Sequence, residues 1–115
     1  MSGGAGLAGY RARLLARLEE LRALAESTRE DRRPVELDPG RQGRLSRADA
    51  LERQAIAQEG EHRRQREIAR IESALARMAE GEYGWCAVCG EEIAAARLEL
   101  DPATPVCVDC AARQG

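Results

Sequence analysis

The stretch GWCAVCGEEIAAARLELDPATPVCVDC, residues 84–110, carries all four cysteines of this 115-residue chain, in two Cys-x-x-Cys pairs separated by seventeen residues. Each pair folds as a tight knuckle that aims two sulfurs at one point. Gly90, just past Cys89, frees the backbone for the positive φ such a knuckle needs. Together Cys86, Cys89, Cys107 and Cys110 match the ligand set of a tetrahedral Zn²⁺ site with Zn–S near ~2.3 Å. Four thiolates leave no position open for water, so the spacing predicts one structural zinc and no catalytic residue. The alternatives are a redox pair, which belongs singly at a helix N-terminus in a βαβ setting, and two disulfides, which belong to an oxidising compartment. Some thirty residues bury too little apolar surface to fold unaided. Metal binding, of order 10–16 kcal/mol in comparable peptides, is expected to supply most of the stability of residues 81–115.

Upstream of the cysteines the composition favours helix. All 18 basic residues are arginine, the apolar residues are mostly Ala and Leu, and aromatics are only 3% against 33% charged. So few aromatics among so many charges argue against a large core and against an enzyme with a deep substrate pocket. After a flexible lead at residues 1–6, Leu14, Leu18, Leu21, Ala25 and Thr28 follow a 4-3-4-3 spacing, the seam of a coiled coil. Pro34 disfavours helix at Arg33 and ends the pattern near Asp31. Pro39, Gly40 and Gly43 mark a turn, and Ser46 with Asp49 reads as a capping box that opens a second helix from about Arg47 to Glu80, stopped by Gly81. Its apolar marks are Ala48, Leu51 and Ala55, then Ile68, Ile71, Leu75 and Met78, with a polar stretch around Gly60 and His62 that predicts a bend or fraying. At 1.5 Å per residue the helices measure roughly 36 and roughly 51 Å. The fold expected is mainly α. An antiparallel two-helix coiled-coil hairpin over residues 7–80, with its tip at about 32–46, precedes a four-cysteine zinc finger over 81–115. A plain dimerisation coiled coil is the blander reading of the hairpin.

Charge narrows the partners. Residues 80–115 hold two arginines against seven acids, a net −5, and four thiolates on one Zn²⁺ add a further −2. Such a surface repels phosphates, so no direct sequence-specific DNA binding is expected. Residues 11–47 carry ten arginines against seven acids, a diffuse excess suited to an acidic protein surface. No apolar run of about 18 residues is present to span a membrane, and Met-Ser-Gly-Gly-Ala-Gly lacks the features of a signal peptide. The expected location is cytoplasmic.

Gly84-Trp85-Cys86-Ala87-Val88-Cys89-Gly90-Glu91-Glu92-Ile93, then Arg97-Leu98-Glu99, Pro102 and Cys107-Val108-Asp109-Cys110 closely resemble the DksA/TraR zinc-finger family. The likeness covers about residues 68–110, and the helical hairpin fits the same architecture. The resemblance implies a transcription regulator, not an enzyme. It would bind bacterial RNA polymerase, push its coiled-coil tip into the secondary channel, and alter promoter complexes without reading DNA. Family members active at promoters carry Asp-x-x-Asp-x-Ala at the tip; aligned without gaps, these positions are Gly43, Ser46 and Ala48, so both carboxylates are replaced. Of the basic residues implied for guanosine tetraphosphate, Arg70 is retained, whereas Asp101 and Ala111 stand where basic residues are expected. The resemblance therefore predicts a weak response to that nucleotide.

Three rival functions follow from other features. In a Gre-like transcript-cleavage factor, Glu36 and Asp38 at the tip would recruit Mg²⁺ inside the polymerase. In a zinc- or redox-responsive sensor, oxidation of the clustered thiolates would release metal. In a scaffold, the hairpin would only dimerise. Arg97 is expected to brace the zinc module or to face the polymerase.

Overall fold

Leu14, Leu18 and Leu21 lie on helix α1, Gly6–Ser27, and the apolar run Ile68–Met78 lies on helix α2, Arg44–Ala79. The computed structural model describes residues 6–33 and 44–114. Two short helices, α3 (Ala95–Leu100) and α4 (Val108–Gln114), lie among the cysteines. Beyond the single bridge between Trp85 and Glu92, the described residues form no strand. The protein is thus mainly α, with two long helices that pack antiparallel and a small four-cysteine segment at the C-terminal end.

Two compact units make up the chain: Met1–Glu19 with Glu67–Gly115, and Glu20–Arg66. Among the described residues, the first holds nearly all of the apolar core. Tyr10, Leu14 and Leu18 from α1 and Ile68, Ile71, Ala74 and Met78 from α2 are buried, together with Tyr83, Ile93, Leu98 and Ala103 from the cysteine segment. Burying each large side chain contributes about 1.5–3 kcal/mol, so the small C-terminal segment draws stability from both long helices as well as from any metal. The rings of Tyr10 and Tyr83 lie 5.9 Å apart. Their hydroxyls reach acceptors: Tyr10 donates to Glu99 Oε1 at 3.0 Å and Tyr83 to the Pro102 carbonyl at 2.8 Å. Burial pushes the Tyr83 phenol up to about 12.

The second unit is held differently. Leu21 and Glu61 are its buried side chains among the described residues. Glu61 accepts from Arg64 Nε at 2.9 Å and Gln65 Nε2 at 2.7 Å, with Arg32 Nε 3.9 Å away. Arg64 also donates to Thr28 Oγ1 at 3.0 Å, and Gln54 donates to the Arg33 carbonyl at 2.7 Å. Polar contacts, not apolar burial, dominate this pairing.

Several expectations need correction. Helix α1 ends at Ser27, followed by a 3₁₀ turn at Glu30–Arg32. The hydroxyls of Ser27 and Thr28 both bond back to the Leu24 carbonyl, at 3.0 and 2.9 Å, and such local bonds compete with helix propagation. Arg32 Nη2 caps the Ala25 carbonyl at 2.6 Å. Arg33 is extended, as a residue preceding proline favours. Helix α2 begins at Arg44, so Ser46 lies inside its first turn instead of capping it. The helix continues without interruption through Gly60. Ala48, Leu51 and Ala55 are exposed; the inward positions are Ala50, Gln54, Ala57, Glu61 and Arg64, which continue the 4-3 register of Ile68, Ile71, Leu75 and Met78 upstream. Apolar residues alone chose the wrong stripe because the true seam is polar there.

Candidate metal centre

Helix α2 stops before Gly81, whose φ of 76° lets the chain leave the helix. The chain then enters the first cysteine knuckle. Gly84 and Gly90, with φ of 94° and 78°, bracket it. The Cys86 amide donates to the Glu91 carbonyl at 2.8 Å, the Gly90 amide to the Cys86 carbonyl at 2.9 Å, and the Ile93 amide to the Gly84 carbonyl at 2.8 Å. These bonds close a small, rigid loop around Cys86 and Cys89. The second pair is built differently from the knuckle expected: Cys107 immediately precedes α4 and Cys110 lies within it, with the Ala111 amide bonded to the Cys107 carbonyl at 3.0 Å. The Ala87 amide donates to the Pro105 carbonyl at 2.8 Å and joins the two halves.

The ligand atoms of Cys86, Cys89, Cys107 and Cys110 all lie within 4.8 Å of one another. Cys89 Sγ and Cys107 Sγ are 3.8 Å apart, and a tetrahedron with Zn–S of ~2.3 Å sets its sulfurs about 3.8 Å apart. The donor set and its spacing therefore fit one thiophilic divalent ion. Backbone amides favour the thiolate of Cys86: those of Cys89, Cys107 and Val88 hold its pKa below the ordinary thiol value. Burial pushes Cys110 the other way. A cation at the centre would offset the cost of gathering these sulfurs.

Around the cysteines, Arg97 acts as a brace. Its Nε donates to the Val106 carbonyl at 2.8 Å, which ties α3 to the turn before Cys107. Arg70 meets Asp101 at 2.7 Å, a pairing that sequence separation concealed. Arg13 lies 3.6 Å from Glu99, and Arg17 Nε lies 2.8 Å from Glu67. Hydrogen bonding to Arg17 keeps the Glu67 carboxyl below the usual carboxylate range. Asp49 is exposed on α2. Glu36, Asp38 and Gly43, and most of the expected tip, lie outside the described residues. Among the described residues no helix is long and apolar enough to cross a membrane.

A four-sulfur cluster that shares a core with two long antiparallel helices defines a C4-type zinc-finger protein carried on a helical pair. Residues 81–114 match the sequence profile of the prokaryotic dksA/traR C4-type zinc finger. The RNA polymerase-binding transcription factor DksA of Haemophilus influenzae is 40% identical over 43 residues, covering 37% of this chain and 30% of that protein. Its counterpart in Escherichia coli K12 is 32% identical over 66 residues, covering 57% and 44%. The chain thus spans less than half the length of these curated relatives. Among solved structures, transcription factor DksA2 from Pseudomonas aeruginosa superposes with a TM-score of 0.76 at 28% identity, covering 99% of this chain and 90% of the other. The solution structure of DnaK suppressor protein from Agrobacterium tumefaciens gives 0.56 at 32% identity, covering 98% and 99%. The chain belongs to the DksA/TraR family. Of the proteins named here, the two DksA proteins and DksA2 are named as transcription factors.

Proposed function

We propose that this chain is a cytoplasmic transcription factor that binds bacterial RNA polymerase. In this reading residues 7–80 form the hairpin, with a tip at about 32–46 that enters the secondary channel. Residues 81–115 form a zinc module in which Cys86, Cys89, Cys107 and Cys110 hold one structural Zn²⁺. The carrying observation is the convergence of four sulfurs within 4.8 Å in a segment packed on both long helices. A metal there would supply fixed geometry and charge neutralisation, with no open position for chemistry.

The ion pair between Arg70 and Asp101 supports a weak response to guanosine tetraphosphate. A retained cation is already matched by a carboxylate 2.7 Å away, and an incoming anion would have to displace it against like charge. The net −5 of residues 80–115 supports a factor that works through protein contacts and not through DNA.

The test is a pull-down with core RNA polymerase. The full chain is expected to bind, and deleting residues 35–45 is expected to abolish or strongly weaken binding. No binding by the intact chain, or full binding after the deletion, would overturn the secondary-channel reading.

A further inference from the structure

At the first knuckle, Trp85 and Val88 are 50% and 60% exposed and line a cleft of 690 Å³ with Arg77, Glu80, Glu82 and the knuckle's own Cys86 and Cys89. Trp85 is the only tryptophan of the chain. Single exposed apolar residues are ordinary on protein surfaces. Here, however, the indole sits on tightly bonded backbone: Trp85 bridges to Glu92, and the bonds from Cys86 to Glu91 and from Ile93 to Gly84 close the loop beneath it. An aromatic side chain held on rigid backbone docks with little loss of conformational entropy, and tryptophan is the residue type most enriched among energetic anchors.

Charge selects what docks there. On the cleft wall Glu80 and Glu82 outnumber Arg77, Glu91 and Glu92 are exposed on the same knuckle, and residues 80–115 total −5. A nucleobase stacks well on indole but brings phosphates that this surface repels. A second copy docking through this same face brings the same negative charge, and bacterial and other cytoplasmic-leaflet lipids are also anionic. A basic protein surface with an apolar side chain among its lysines or arginines satisfies both the cleft and its rim.

Resting on the polymerase reading above, we propose that the Trp85–Val88 face is a second docking contact, separate from the tip, for a basic, apolar-centred surface of the polymerase itself. The tip would then decide what happens in the channel, while the knuckle face contributes affinity and orientation.

The experiment measures the affinity of the full chain for core RNA polymerase with wild type, Trp85→Ser, Val88→Ser and Glu82→Lys, with zinc content and thermal melting recorded for each. Trp85→Ser is expected to weaken binding about tenfold or more, and Val88→Ser several-fold. Glu82→Lys should weaken binding and flatten its salt dependence. Val88→Ser leaves the backbone bond to Cys86 Sγ in place, so it remains a valid probe if Trp85→Ser disturbs the knuckle. Wild-type affinity in both serine variants, with the intact chain binding normally, overturns this surface and leaves the polymerase reading standing. Failure of the intact chain to bind polymerase overturns both.

Discussion

Glu61 is the buried carboxylate among the described residues, and its surroundings explain how a helix pair can be specified by charge. Its side chain is 12% exposed, beside those of Arg32 at 24% and Arg64 at 20%. Arg32 Nε is buried without a hydrogen-bond partner, so the cluster already carries an unsatisfied donor. Glu61→Ala leaves the Arg32 and Arg64 guanidinium groups facing the seam without the carboxylate that neutralises both. We expect a loss of about 2–3 kcal/mol, read from urea unfolding followed by circular dichroism. The pH dependence has a definite sign. Hydrogen bonding from Gln65, then from Arg64, holds the Glu61 carboxyl below its ordinary 4.5. A carboxylate that binds protons less tightly when folded contributes stability fully above about pH 4.5, and that contribution is lost as the pH falls through the lower folded value. Cysteine thiolates also take up protons in acid. The readout is therefore the difference between wild type and Glu61→Gln, which should shrink progressively below pH 4.5.

At the scale of elements, α2 carries a weak point that its neighbours tolerate. A Cβ at Gly60 would meet only the guanidinium tips of Arg63 and Arg64, each at 3.8 Å. Helical backbone and open space together mean that Gly60→Ala should raise stability by about 1 kcal/mol, seen as a higher melting temperature. The cysteine segment responds in the opposite direction. Cys107→Ser removes one of four converging sulfurs, so purified variant protein should lose its zinc and the order of residues 84–115 while much of the long-helix signal remains. Metal analysis, with amide hydrogen exchange across the two regions, separates these effects; zinc at one ion per chain in the variant would refute the four-sulfur site.

For the whole molecule, the charge distribution and the tip make separate predictions. The isolated protein should show no measurable affinity for duplex DNA at physiological salt; a sub-micromolar affinity that falls steeply with salt would contradict the charge argument. Gly43→Asp with Ser46→Asp restores the carboxylates that the family pattern places at the tip. An acid at residue 46 also enters a helix whose first turn has none, where the helix dipole favours it. The double variant should act more strongly than wild type on a sensitive promoter in an in-vitro transcription assay, with little added effect of guanosine tetraphosphate in either protein. Strong wild-type inhibition enhanced several-fold by the nucleotide would show that the correspondence of these residues is wrong.

The sequence by itself determined the elements whose signal is local. Paired cysteines at fixed spacing announce their chemistry, Gly81 marks a helix stop, and Leu14, Leu18 and Leu21 mark a buried face, because each depends on covalent geometry or on a period within one segment. Tertiary structure alone decided what depends on distant partners. The seam of α2 runs through Ala50, Gln54, Ala57, Glu61 and Arg64, a stripe that hydrophobicity disguises but that the seven-residue register of Ile68 and Ile71, extended backwards, would have located. The pairing of Arg70 with Asp101 joins residues thirty-one apart and has no local signature. Exposure of Trp85 beside burial of Tyr83, two residues earlier, follows from which ring the Tyr10 face receives. Burial and charge pairing are properties of the space between segments, and that space exists only once the chain has folded.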